Sequence, residues 1–93
     1  MFLKIDDEYT VNILEIALLR YRVIEEGASE LMISVTDGRE ITATFTDNSA
    51  LELEDILHRA LNESVMHNGS AEVRYATQIA FLLKTAVVKV VPR

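Results

Sequence analysis

Cysteine is absent from the 93-residue chain, which excludes a disulfide scaffold, a thiol nucleophile and any thiolate-held zinc or iron–sulfur centre. Glycine is scarce. Gly27, Gly38 and Gly69 stand alone, so the glycine-rich loops that cradle phosphates have no counterpart. Basic residues are few: nine Lys and Arg meet fifteen Asp and Glu, a net charge of −6. Residues 1–64 hold five basic residues against fourteen acids, a net of −9, and residues 65–93 hold Arg74, Lys84, Lys89 and Arg93 against Glu72, a net of +3. Four cations over that length are too sparse for a polyanion, and nucleic acid is not an expected partner. Long apolar runs are missing too. Met1-Phe2-Leu3-Lys4-Ile5-Asp6-Asp7 meets charge too early for a secretory signal, and Glu72, Arg74, Gln78, Lys84 and Lys89 interrupt the C-terminal stretch, so no membrane span is expected. With 49 % apolar residues and a single proline, the chain is too apolar for disorder and has room for one domain, residues 1–93. These exclusions leave a small soluble protein, expected in the cytoplasm.

The chemistry on offer is thin. His58 and His67 are nine residues apart, which on one helix puts them about 180° from each other. Glu54 and His58 share a helix face and supply two ligands where a closed metal site needs four. No serine sits in a G-x-S-x-G setting. Asp6-Asp7-Glu8 and Glu25-Glu26 fall where turns are expected and read as solvated charge. The reading is therefore no catalytic residue, no cofactor and no metal.

What the chain does have is parity. Leu3 and Ile5, Tyr9, Val11 and Ile13, Ala17, Leu19, Tyr21 and Val23, Leu31, Ile33 and Val35, and Ile41, Ala43 and Phe45 all fall on odd positions. Strand side chains alternate faces with period two, so each run presents one apolar face. Asp6-Asp7, Glu25 to Ser29 and Asp37-Gly38 separate the runs and read as turns. This predicts an antiparallel meander of four or five strands over residues 1–46.

Parity also selects the loop at Asp37-Gly38. A two-residue loop there would set Ile33 opposite Thr42 and put the two apolar sets on opposite faces. A three-residue loop, Thr36-Asp37-Gly38, pairs Ile33 with Ile41 and Leu31 with Ala43, with Gly38 in the left-handed position. The three-residue loop is the expectation. Residues 12–27 admit two readings: a strand by parity, or a helix with Asn12 as N-cap and Gly27 past its end. Strand is favoured. The meander around Val35-Thr36-Asp37-Gly38-Arg39-Glu40-Ile41, followed by a capped helix, resembles many small bacterial and phage proteins and is too general to imply an activity.

Ser49-Ala50-Leu51-Glu52 has the form of a capping box, and Leu53, Ile56, Leu57, Ala60, Leu61 and Val65 recur at helical spacing, predicting a helix over about 50–67. Glu54/His58, Asp55/Arg59 and Glu63/His67 are acid-before-base pairs on it, and Asn68-Gly69 ends it. Ser70 opens a second helix over about 71–86, apolar around most of its girth apart from Arg74, Thr77, Gln78 and Thr85. Val87-Val88-Lys89-Val90-Val91 either extends it or leaves as a strand. The fold class is α+β in two layers.

The even face of the meander mixes Phe2, Ile16, Leu18, Ile24 and Met32 with Lys4, Arg20, Arg22, Ser34, Thr42 and Thr44, a composition closer to an interface than to a plain solvent face, unless the second helix covers it. Phe81 and Val88 interrupt the polar side of the second helix. Phe81, Val88, Arg20, Arg22 and Met32 are therefore the candidate interface residues. The expected function is a non-catalytic protein-interaction module that self-associates as a dimer, which would supplement the modest core of a small domain. The alternative is a small-molecule-binding protein or enzyme with an apolar pocket between sheet and helices, lined by Tyr9, Tyr21 or Tyr75.

Overall fold

The computed structural model describes residues 2–66 and 71–92, without the side chains of 64–66 and 71–73. It is an α+β fold. In chain order the elements are β1 (Phe2–Lys4), β2 (Thr10–Asn12), β3 (Ile16–Glu25), β4 (Ala28–Val35), β5 (Glu40–Phe45), α1 (Ser49–Met66), α2 (Ala71–Thr85) and β6 (Val87–Val91). Five strands precede the helices, but their ladder is interrupted: β1 and β2 form a hairpin of their own, while β3-β4-β5-β6 make a four-stranded antiparallel sheet. The last strand of that sheet comes from the C-terminal segment, which leaves α2 rather than extending it.

The interruption follows from Asn12. Its Oδ1 accepts from the Leu14 N–H at 3.1 Å, capping a single 3₁₀ turn over Ile13–Glu15 before the chain resumes as strand. Both readings of residues 12–27 thus describe part of it, with strand occupying most of the segment. A bulge between Ile16 and Leu18 turns Ala17 out to solvent, so the odd parity expected of Ala17 begins at Leu19. The expected turn from Glu25 to Ser29 is shorter than its polarity suggests. Glu25 pairs with Ala28 around Gly27 (φ +79°), and Ala28 and Ser29 already belong to β4.

The loop at Gly38 is the three-residue one. Ile33 lies opposite Ile41 and Leu31 opposite Ala43. Gly38 has φ +96° and its N–H donates to the Val35 carbonyl at 2.9 Å, while the Val35 N–H donates to the Arg39 carbonyl at 3.0 Å. In consequence Leu31, Ile33, Val35, Ile41, Ala43 and Phe45 are all buried on one face. Ala50, Leu53, Ile56, Leu57 and Ala60 of α1 and Ile79, Leu82 and Leu83 of α2 pack on that face, joined by Leu3, Ile5, Val11 and Ile13 from the hairpin region. α2 lies alongside α1 on the same side of the sheet and does not cover the even face. Asp55 and Arg59 form the expected i, i+4 pair at 3.2 Å. The expected helix end at Asn68-Gly69, the Ser70 cap and His67 lie outside the described residues, as do the side chains of Val65 and Val73.

The start of α1 is held differently from a capping box. The Ala50 N–H donates to Ser29 Oγ at 3.2 Å, and that hydroxyl donates to the Asp47 carbonyl at 2.6 Å. The Ser49 N–H donates to Asp47 Oδ1 at 2.9 Å and the Leu51 N–H to the Asn48 carbonyl at 3.2 Å. Ser49 therefore stands inside the first turn, and its amide and hydroxyl both donate to Asp47, which holds that carboxyl below its ordinary value of 3.8. The Tyr21 hydroxyl donates to Asn48 Oδ1. Ser29, which is 1 % exposed, is the polar bolt between β4 and the helix.

Three outcomes follow from this packing. Ile33→Ala or Ile41→Ala should each lower unfolding free energy by roughly 2–5 kcal/mol in urea titrations, since each leaves a cavity at the centre of the buried face; a loss below about 0.5 kcal/mol would place these residues elsewhere. Ser29→Ala should cost about 0.5–2 kcal/mol and Ser49→Ala less, because only the first removes the acceptor of a first-turn amide. Equal losses would return the cap to Ser49. Asp47, with a folded pKa below its unfolded one, stabilises the fold above pH about 4, and that contribution is lost as pH falls through the lower folded value. Asp47→Asn should therefore flatten the acid limb of the stability–pH curve, and an equally steep limb in the variant would contradict the assignment.

Candidate interaction surface

The register that buries the odd residues leaves the even ones on a face that carries no helix. Three cross-strand rows can be read from the pairings. Leu18, Ser34, Glu40 and Val91 form the first, Arg20, Met32, Thr42 and Lys89 the second, and Arg22, Glu30, Thr44 and Val87 the third. Large apolar side chains stand at the margins: Leu18 is 50 % exposed, Val87 64 % and Val91 56 %, with Ile24 at 44 % where β3 ends. Between them lie charges of both signs, Arg20, Arg22 and Lys89 with Glu30 and Glu40. Arg22 Nε donates to Glu30 Oε2 at 2.9 Å, and a guanidinium nitrogen of Arg22 adds a second bond to the same oxygen. Arg20 donates to Met32 Sδ at 3.4 Å.

The five candidate residues do not form one patch. Arg20, Arg22 and Met32 lie together on the open face, as parity implied. Val88 does not join them: β6 pairs Val88 with Ala43, an odd residue of β5, so Val88 packs against the core and Val87 and Val91 take the open side. Phe81, 68 % exposed, lies on the outer surface of the helix layer, beside a groove of about 470 Å³ lined by Asp47, Ser49, Glu52, Thr77 and Gln78 among others. The apolar surface of residues 71–91 is thus mostly consumed within the chain, by β6 joining the sheet and α2 packing on α1 and the hairpin.

Between sheet and helices the space is filled by buried side chains. The three tyrosines expected around a pocket are occupied otherwise. Tyr9 lies under the Arg39 guanidinium at 6.0 Å, Tyr75 beside Arg74 at 5.2 Å, and Tyr21 is bonded to Asn48. In the first acid-rich turn Asp6 is structural: its Oδ1 accepts from the Glu8 and Tyr9 amides at 2.8 and 2.9 Å. Among the described residues no group of three or more His, Asp and Glu comes together as a metal site, and no helix is long and apolar enough to cross a membrane. Val87 and Val91 join Leu18 to complete the surface that the sequence pattern only half outlined, and knowledge of the β5–β6 register was the missing signal. No family model, curated protein or solved structure matches this chain.

Proposed function

We propose that this protein is a non-catalytic interaction module that self-associates, and that it does so through the open side of its sheet rather than through its helices. The observation that carries the reading is the juxtaposition of Leu18, Val87 and Val91 with Arg20, Arg22 and Met32 on a face that none of the described elements covers. Exposed apolar residues in ones and twos are ordinary, but several on one face, mixed with arginine and methionine, match the composition of interface cores. The test is solution mass by sedimentation equilibrium between about 10 and 500 micromolar, a range set to catch weak association. The expected result is a rise above 10.5 kDa that Leu18→Asp abolishes and Phe81→Glu leaves intact. A monomer throughout contradicts self-association. Loss of the dimer on Phe81→Glu alone would move the surface to the helix layer.

A further inference from the structure

We infer that the partner is a second copy of this chain, added edge to edge along β3 in one particular register, with Tyr21 opposite Tyr21 of the other copy. The inference rests on self-association and narrows it to the β3 margin of the open face, where Leu18, Arg20 and Arg22 lie; Val87 and Val91, on the opposite edge strand, stay outside the seam. Among the described residues β3 has a strand neighbour only on its β4 side. Which of its backbone groups face outward follows from alternation. The Val35 N–H bonds Arg39, so the odd residues of β4 direct their backbone to β5 and the even ones to β3. Leu18, Arg20 and Arg22 therefore bond β4, and Leu19, Tyr21 and Val23 present their N–H and C=O groups to the free edge.

A two-fold antiparallel pair must match outward residues with outward residues. Centring it on Tyr21 pairs Leu19 with Val23 twice over and brings Leu18 level with Ile24. The large exposed apolar side chains of β3, Leu18, Val23 and Ile24, then each gain an apolar neighbour across the seam. The remaining pair is Arg20 with Arg22. Glu30, one strand in, already holds Arg22 and lowers the net charge of that contact. Shifting the centre to position 20 or 22 sets an arginine against itself at the axis and loses the Leu19–Val23 match.

The other edge is closed to the same arrangement. β6 directs only the backbone groups of Val88 and Val90 outward; pairing the two with each other sets Lys89 directly against Lys89, with Thr42 rather than an acid beside it, and centring on Val88 or Val90 alone leaves a single outward pair within the strand, with Ala86 or Pro92 opposite the other valine. Between its two bulges β3 contains neither lysine nor proline. The seam runs about 20 Å at ~3.3 Å per residue, so it buries less than the roughly 800 Å² per partner of a tight complex, and the dimer forms at micromolar rather than nanomolar concentrations.

Since the chain has no cysteine, single-cysteine variants report the register directly. Arg20 and Arg22 of the two copies would form a non-hydrogen-bonded pair with Cα atoms about 4.5 Å apart, a separation a disulfide spans. Arg20→Cys and Arg22→Cys proteins, each checked for wild-type unfolding, are mixed in a glutathione redox buffer. The expected product is the mixed disulfide, about tenfold over either homodimer, as thiol exchange selects the closer pair. Val23→Lys should lower the dimer fraction severalfold in a parallel mass measurement. Homodimers of either cysteine variant dominating the mixture would overturn the register. A concentration-dependent dimer with no cross-link would overturn the β3 seam while leaving self-association standing, and a monomer in every sample would overturn both.

Discussion

Strand side chains repeat every two residues, so the number of residues in one hairpin loop decides which face of a sheet is apolar. Here that decision is made at Thr36-Asp37-Gly38. Gly38 takes the left-handed backbone that closes a three-residue loop, and Ile33 and Ile41 are thereby set side by side. Much else is downstream of that pairing. The odd face becomes a continuous apolar floor for α1, and Ser29, an odd residue near the end of the same strand, comes to lie where the first-turn amides of α1 need an acceptor. One residue of slippage would place Ser29 on the other face, away from the helix terminus.

The same constraint explains why the molecule has an uncovered side. Both helices and the N-terminal hairpin contribute to one cluster on the odd face, and none of the described elements lies over the other. The two sheet edges then differ in kind. β6 is short and carries Lys89 at its centre, the device by which edge strands resist pairing, whereas β3 is ten residues long with arginines tied to Met32 and Glu30 and apolar residues left over. This asymmetry is what the proposed association along β3, rather than β6, rests on.

Much of this was legible in the sequence, and what was not has a common cause. The alternation of Leu31, Ile33 and Val35 with Ile41, Ala43 and Phe45 disclosed both the strands and the loop between them, because the signal is local. The helical stripe from Leu53 to Ala60 was legible for the same reason. The cap was not: Ser49 and Glu52 have the right spacing, but the acceptor actually used, Ser29, is 21 residues from Ala50 and reaches it only through the folded sheet. Val88 was misplaced because the face of a β-branched run depends on its partner strand, and β5 lies more than forty residues earlier. Residues 12–27 read two ways because Asn12 does begin a helical turn, which ends at once where the β-branched and aromatic residues of β3 find β4 beside them.

The claim beneath all of this is the pairing of β4 with β5, and proton NMR reads it without any substitution. In this register Met32 and Thr42 form a non-hydrogen-bonded pair, whose Cα atoms approach to about 4.5 Å, as do Ser34 and Glu40. Strong Hα–Hα Overhauser effects are expected for Met32 with Thr42 and for Ser34 with Glu40. An Hα–Hα contact of Thr42 with Ile33 in place of Met32 would show the two-residue loop, and would contradict both the buried face and the open one.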